Sequence, residues 1–374
     1  MANNNNTKNL NVPNLRFPEF KGEWKKKHLS ELVGDIKDRI STSSLSVDNY
    51  VSTENILQNF QGVTLATSLP HNTNVTAFRK DDILFSNIRP YLKKIWYASY
   101  DGGCSTDVFV FRNSGMCSAM FLYHLIANDK FINYVMLGTK GTKMPRGDKQ
   151  QIIQYVVYLP SKLEQNKIAT FLSLLDSRIE AQIKIIEKYK SLIKGIRYYI
   201  LEESTHYNYL GNLCDIIKGH QVNLDNLLKH GKYYVMNGGT QPSGYYNSYN
   251  TNAGTISISE GGNSCGYVQY NKENFWSGGH CYTLQNIKGE LTEKYLYHYL
   301  KSNEKMIMAL RVGSGLPNIQ KKDLMSLRIP IPAKENQKKI SCLLDSIEDK
   351  ISVETNVMTK FMQQKQYLLA NLFI

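Results

Sequence analysis

The sequence predicts an α+β chain of 374 residues that repeats internally: a mixed α/β body, a long helix, a second body and a second long helix. Three observations predict this. The stretch LPSKLEQNKIATFLSLLDSRI beginning at Leu159 returns as IPAKENQKKISCLLDSIEDKI at Ile331, 172 residues later and without a gap. Each copy runs on into apolar residues spaced alternately three and four apart. The segments ahead of each copy share one order of strands, glycine turns and a helix, and Pro145 and Pro317 keep the 172-residue offset.

Residues 1–14 are polar and Asn-rich, and a segment with so little apolar surface is expected to form a loose arm. Residues 15–158 form the first body. There DDILFSNIRPYLKKIWYASY reads as strand, turn, strand; GGCSTDVFVFR reads as a strand behind a glycine turn; SAMFLYHLIANDKFINYVML reads as a helix. Residues 159–205 form the first long helix, entered through YVVYLP, a short strand that stops at a proline. Residues 206–330 repeat the order of the first body with GTISISEGGNSCGYVQY, FWSGGHCYTLQ and EKYLYHYLKSNEKMIMALR. Residues 331–374, entered through LRIPIP, form the second long helix.

The helical reading rests on the seam. Leu172, Leu175, Ile179, Gln182, Ile186, Tyr189, Ile193, Ile196 and Ile200 follow a heptad rhythm, as do Leu344, Ile347, Ile351, Glu354, Met358, Phe361, Lys365, Leu368 and Leu372. Gln182 and Glu354 interrupt both seams at the same repeat position, where a polar residue can set register. A helix of about 40 residues is roughly 60 Å long, too long to fold back inside one small domain. The two are therefore expected to pair with each other and to hold two bodies apart.

The formal net charge of +13 is uneven: residues 1–155 carry +6 and residues 206–330 carry +4, so the excess lies in the bodies. This favours an anionic partner, most simply nucleic acid. No apolar run has the length of a membrane span, the N-terminus lacks the apolar core of a signal peptide, and a cytoplasmic chain is expected. The six cysteines show no Cys-x-x-Cys spacing and read as free thiols. The sequence holds no phosphate-binding Gly-x-x-x-x-Gly-Lys loop, no Gly-x-Ser-x-Gly elbow, no His-Glu-x-x-His pair, and no Asn-Pro-Pro-aromatic stretch. No metal and no cofactor is expected. His124 and His298 occupy similar places in the two LYH helices and are read as packing residues.

The duplicated helix motif, the opening LRFPEFKGEWKKKHLSEL and the strand–turn DDILFSNIRPYLKKIWYA together resemble the specificity subunit of type I restriction–modification enzymes. GTISISEGGNSCGYVQY and FWSGGHCYTL resemble its target-recognition domains, and the likeness covers nearly the whole chain from Asn14 onward. The second copy departs in having Asn336-Gln337 where the first has Glu164-Gln165. The resemblance implies two target-recognition domains separated by two long antiparallel coiled-coil helices, with an internal pseudo-twofold repeat. It implies a non-catalytic subunit that reads a bipartite double-stranded DNA target. The partners it implies are two adenine methyltransferase subunits and restriction–translocase subunits, with no membrane. A self-sufficient methyltransferase or nuclease with diverged motifs is the alternative, and an RNA-binding module a third reading.

Bases are read by a few groove-facing side chains, while basic groups position the backbone. In the first body the candidates are Asn87 and Arg89, with Lys93 and Lys94 as phosphate contacts; Arg89 is the base reader because arginine bonds guanine in a bidentate way. The loop Lys140–Lys149 adds Lys140, Lys143 and Arg146. In the second body Tyr245, Tyr246, Asn247 and Tyr249 are candidates to stack or bond at base edges, and Asn263 and Ser264 match the first body's turn. Phe171, Ile183 and Ile185 lie off the helix seam and are expected to dock partner subunits.

Overall fold

The structure is a computed structural model that describes residues 11–34, 36–141, 143–202, 206–313, 315 and 317–374, with the backbone alone for 197–202 and 224. The first ten residues of the expected arm lie outside the described residues, as do residues 203–205 at the end of the first long-helix segment. Asn11–Asn14 are held in place: the Trp24 N–H donates to the Asn11 carbonyl at 2.8 Å, and Asn14 Nδ2 donates to Asn371 Oδ1 at 3.5 Å. The chain forms two compact units, one of residues up to Ile183 together with Val357–Ile374, the other of Lys184–Asn356. The division falls inside both long helices, because each half-helix buries its seam against its own unit.

In the first unit, Val33–Gly34, Val108–Asn113, Ile83–Ser86 and Ile95–Tyr97 form one four-stranded sheet in that order. Arg39–Ser41, Asn74–Phe78, Gly102–Cys104 and Tyr50–Val51 form a second. Gly102 and Gly103 are obligatory there: a Cβ on Gly102 would lie 2.1 Å from the Asn49 carbonyl, and one on Gly103 would lie 2.5 Å from Leu45. The strand Lys25–His28 pairs antiparallel with Val156–Leu159, tying the opening of the body to the entry of the helix. Phe85, Phe111, Phe121 and Phe131 are fully or almost fully buried in the core between sheet and helices. The helix Ala119–Ile126 is apolar except for His124, with Phe121–Ile126 all buried, and Asn128 caps the next helix by accepting from the Phe131 N–H at 3.0 Å.

The second unit repeats the scheme. Asp215–Lys218, Cys281–Gln285, Thr255–Ser259 and Val268–Asn271 form the equivalent four-stranded sheet, and Tyr207–Tyr209 pairs with Arg328–Pro330 as the strand Lys25–His28 pairs in the first. The smaller sheet differs, with three strands ordered Gly244–Tyr246, Tyr233–Met236, Trp276–Ser277. Helix Glu293–Ser302 packs on this core through Tyr295, Leu296 and Leu300.

The long helices are Lys162–Glu202, of 41 residues, and Lys334–Leu372, of 39. In the first unit Leu172 and Leu175 join a cluster with Leu368, Leu369 and Leu372; in the second, Ile193 joins one with Leu344 and Ile347. Each unit thus pairs the first half of one helix with the second half of the other, so the helices run antiparallel. Gln182 and Lys365 are buried polar positions on the seam, and Lys365 is ion-paired to Asp176.

The repeated Gln has a structural reason. Gln165 Oε1 accepts from the Ser118 N–H at 3.0 Å while its Nε2 donates to the Pro160 carbonyl at 3.0 Å. Gln337 Oε1 accepts from the Thr292 N–H at 2.8 Å while its Nε2 donates to the Pro332 carbonyl at 2.9 Å. Each buried amide therefore clips the start of a long helix to the start of the LYH helix beside it. The departure at Asn336 is also explained. Glu164 is buried and accepts from Arg16 at 2.7 Å and from Trp24 Nε1 at 3.3 Å, and both donors come from the opening segment; Asn336 is exposed.

Candidate nucleic-acid interface

The turn after strand Ile83–Ser86 is held by main-chain bonds. The Asn87 N–H donates to the Asp107 carbonyl at 2.8 Å, the Arg89 N–H to the Pro145 carbonyl at 2.8 Å, and the Gly147 N–H to the Asn87 carbonyl at 3.1 Å. Arg89 adopts a left-handed backbone with φ 51° at the mouth of the short turn Pro90–Leu92, and its side chain is exposed. Arg146 and Lys140 exchange two main-chain bonds of 3.0 Å, which closes the 140–149 loop against the turn. The structure therefore brings together the two first-body segments picked from sequence.

Individual side chains divide into two groups. Arg89 and Lys143 are exposed, and Arg146 is about half exposed, with Nη1 donating to Asp107 at 2.9 Å. Lys140 pairs with Asp148 at 2.8 Å while remaining exposed. Lys94, a candidate phosphate contact, donates from Nζ to the Thr53 carbonyl at 2.5 Å, and burial lowers its pKa. Lys93 pairs with Asp129 at 2.6 Å. Both ammonium groups are thereby engaged inside the unit.

In the second body the frame recurs. The Glu260 N–H donates to the His280 carbonyl at 2.9 Å, the Gly262 N–H to the Pro317 carbonyl at 3.0 Å, and the Ile319 N–H to the Glu260 carbonyl at 2.9 Å. Val312 and Asn318 exchange main-chain bonds of 2.8 and 3.0 Å, as Lys140 and Arg146 do. Asn263 is exposed and Ser264 partly so, beside the frame as the sequence match anticipates. The residue equivalent to Arg89 is Gly262, with φ +76°, which carries no side chain. Sequence reasoning missed Asp107, His280, Glu260 and Asn318; the offset of Pro145 and Pro317 would have aligned Arg146 with Asn318.

The tyrosine-rich stretch forms a separate feature. Tyr245 and Tyr246 lie in strand Gly244–Tyr246, antiparallel to Tyr233–Met236. Tyr246 meets Trp276 edge-on with centroids 5.0 Å apart, and Tyr233 packs on Tyr249 at 4.9 Å. Tyr245 and Tyr246 are half-buried, whereas Asn247 and Tyr249 are exposed at the strand's end.

On the long helices, Phe171 is partly covered by Phe17, edge-on at 5.8 Å; Ile185 is exposed and Ile183 half-buried. An open groove runs beside the first helix in the first unit, lined by Ser118, Asn166, Thr170 and Ser177 among others. Its repeat equivalent in the second unit is lined by Lys338, Cys342, Asp345 and Asp349.

Both LYH histidines are buried between body and long helix, each beside polar side chains of that helix. His124 Nε2 lies 3.4 Å from Ser173 Oγ, and burial, with Lys365 nearby, holds its pKa well below the usual histidine value. Among the described residues, one group has donors close enough to hold a metal: His298, Asp345 and Glu348. Its geometry suits hydrogen bonding to the ring instead. His298 Nε2 lies 3.0 Å from Asp345 and Nδ1 3.6 Å from Glu348, so the two carboxylates use different ring nitrogens, and Lys294 approaches Asp345 at 3.2 Å. Five of the six thiols are buried, which pushes Cys104 up to about 12 and Cys281 up to about 11, whereas Cys342 is exposed. No helix among the described residues is long and apolar enough to cross a membrane.

The family described as the type I restriction modification DNA specificity domain matches residues 21–188 and again 206–360. A protein of Mycoplasma genitalium named as a type I specificity subunit is 37% identical over 129 residues, 34% of this chain and 33% of that protein. One of Mycoplasma pneumoniae, named likewise, is 39% identical over 123 residues, 33% of this chain and 32% of that protein. The matched stretch thus spans about a third of each relative's length. A crystal structure of the S subunit of a type I system from M. genitalium shares the fold with a TM-score of 0.71 at 18% identity, covering 97% of this chain and 99% of that one. A structure from work on assembly and conformational transition of the type I R-M system gives a TM-score of 0.50 at 20% identity, covering 92% and 96%.

Proposed function

This chain belongs to the type I restriction–modification DNA specificity family, and from that premise we propose that it reads a bipartite double-stranded DNA target, one half with each body. The observation that carries the reading is the repeated turn frame: two equivalent surfaces, each fixed by main-chain bonds, present different polar and basic side chains. In the first body Arg89 and Arg146 face outward for base edges, with Lys140 and Lys143 for phosphates. In the second, Asn263, Ser264, Asn247 and Tyr249 take those roles. Lys93 and Lys94 serve the fold first.

The chain itself catalyses nothing on this reading. It scaffolds two methyltransferase subunits, and restriction–translocase subunits through the assembled complex. The two equivalent grooves, with Phe171, Ile183 and Ile185 nearby on the first helix, offer one docking position per unit. The antiparallel helices act as a ruler for the unread gap.

The test is methylation mapping of cells carrying the chain with its methyltransferase. Replacing residues 206–330 with the second body of another family member should change one half of the target and leave the other. A change in both halves would defeat the two-reader model. Duplicating Ile179–Ile185 together with Ile351–Val357 keeps the seam and adds about 10.5 Å at about 1.5 Å per residue. At about 3.4 Å per base pair, the gap should widen by roughly three base pairs. An active variant with an unchanged gap would show that the helices do not set it.

A further inference from the structure

The two frames can be superposed residue by residue from their bonds alone. Ser86, Asn87, Arg89 and Asp107 correspond to Ser259, Glu260, Gly262 and His280; Lys140, Pro145, Arg146 and Gly147 correspond to Val312, Pro317, Asn318 and Ile319. The exposed side chains on this common frame differ chemically, and the differing pair Arg146 and Asn318 is bonded both to its own loop and to the turn. Arg146 has its N–H and carbonyl bonded to Lys140, and Asn318 has its own bonded to Val312. Each also bridges to the turn, Arg146 to Ile88 and Asn318 to Gly261. The Cα of each is therefore held while the side chain points from a rigid platform, the condition for reading a base rather than following it.

Geometry and chemistry together specify the base. A guanidinium offers a planar fork of donors and matches the two acceptors of guanine, O6 and N7; a carboxamide offers one donor and one acceptor and matches N7 and N6 of adenine. Asp107 holds Arg146 by Nη1 at 2.9 Å, which orients the fork. At the equivalent place in the second body stands His280, exposed, with Nδ1 3.5 Å from Glu260. Arg89 has no competitor in the second body, since Gly262 leaves that place without a side chain.

Resting on the DNA-reading function above, we infer that position 146/318 is a specificity-determining position shared by the two bodies, with Arg146 selecting guanine in the first half-site and Asn318 selecting adenine in the second. This assigns one base of each half-site to two residues related by the repeat.

The test is selection from a random duplex pool by the full-length chain with its partner subunits. The unaltered chain should enrich a bipartite sequence. Asn318→Arg should move one position of the second half-site from adenine to guanine, and Asn318→Ala should flatten that position by roughly 5- to 150-fold in preference. Arg146→Asn should move one position of the first half-site from guanine to adenine. The untouched half-site, still selected, reports that each variant is folded. Unchanged preferences in Asn318→Ala and Arg146→Asn, with both half-sites still selected, would overturn the inference while leaving the two-reader function standing. Failure of the unaltered chain to enrich any bipartite sequence would overturn the function itself.

Discussion

The turn Ser86–Arg89 and the turn Ser259–Gly262 carry the same main-chain bonds and almost none of the same side chains. Where the frame is made by N–H and carbonyl groups, which every non-proline residue supplies, side chains are released to vary. One position breaks the rule. Asn87 Oδ1 is buried with no hydrogen-bond partner among the described residues, whereas the equivalent Glu260 bonds Lys218 at 2.5 Å and Tyr282 at 3.1 Å. The same site is incidental in one body and structural in the other. A repeat thus preserves its backbone solution while each copy settles its own polar interior.

The largest effect should come from this asymmetry. Glu260→Ala removes a charged acceptor from the buried Tyr282 hydroxyl, as well as from the exposed Lys218, and should cost the second unit about 2 kcal/mol, against about 1 kcal/mol or less for Asn87→Ala in the first. Denaturant unfolding followed by hydrogen exchange in each unit would measure it, and equal costs would dissolve the contrast. Next, Arg89→Ala should lower discrimination in the first half-site by about 1–3 kcal/mol, with Gly262→Ala producing no loss of base preference of that size in the second. Binding titrations on matched and mismatched duplexes decide; a loss equal for all sequences would make Arg89 a phosphate contact.

The buried histidines give a comparison in pH. Ser173 and Asp176 face His124, with Lys365 beyond; Asp345 and Glu348, each 172 residues on, face His298 with Lys294. His124 stays neutral in the fold, with its pKa held well down by burial first and Lys365 second. Below about pH 6.5 the unfolded chain takes up a proton that the folded chain does not, so stability falls by up to about 1.4 kcal/mol per pH unit until the folded histidine titrates. Above that pH the contribution is constant. Hydrogen exchange of the first unit at pH 7.5 and 5.5 should show the loss, and His124→Gln should remove it. The smallest effect belongs to Lys143, which is exposed. Lys143→Ala should weaken binding uniformly and reduce the log–log salt slope by about 0.9.

The gapless offset, the proline before each long helix and the heptad spacing are local or periodic signals, and they determined by themselves the repeat and the long helices, whereas strands such as Arg39–Ser41, Asn74–Phe78 and Tyr233–Met236 went unread. The segments that approach DNA on the proposed reading were also legible, because turns made of Ser, Asn, Gly and Pro declare themselves. Three matters were decided only by the tertiary structure. Lys94 read only as a candidate phosphate contact, and packing puts its Nζ on the Thr53 carbonyl. The repeated Gln165 and Gln337 looked like helix residues until their amides were found spanning to Ser118 and Thr292, tens of residues away. That Arg146 and Asn318 each sit against a turn was decided only once Lys140 and Val312 closed each loop, although the 172-residue offset already aligns the two residues. Each of these depends on where a distant carbonyl or N–H arrives, and a bond between segments far apart in sequence leaves no periodicity for the sequence to display.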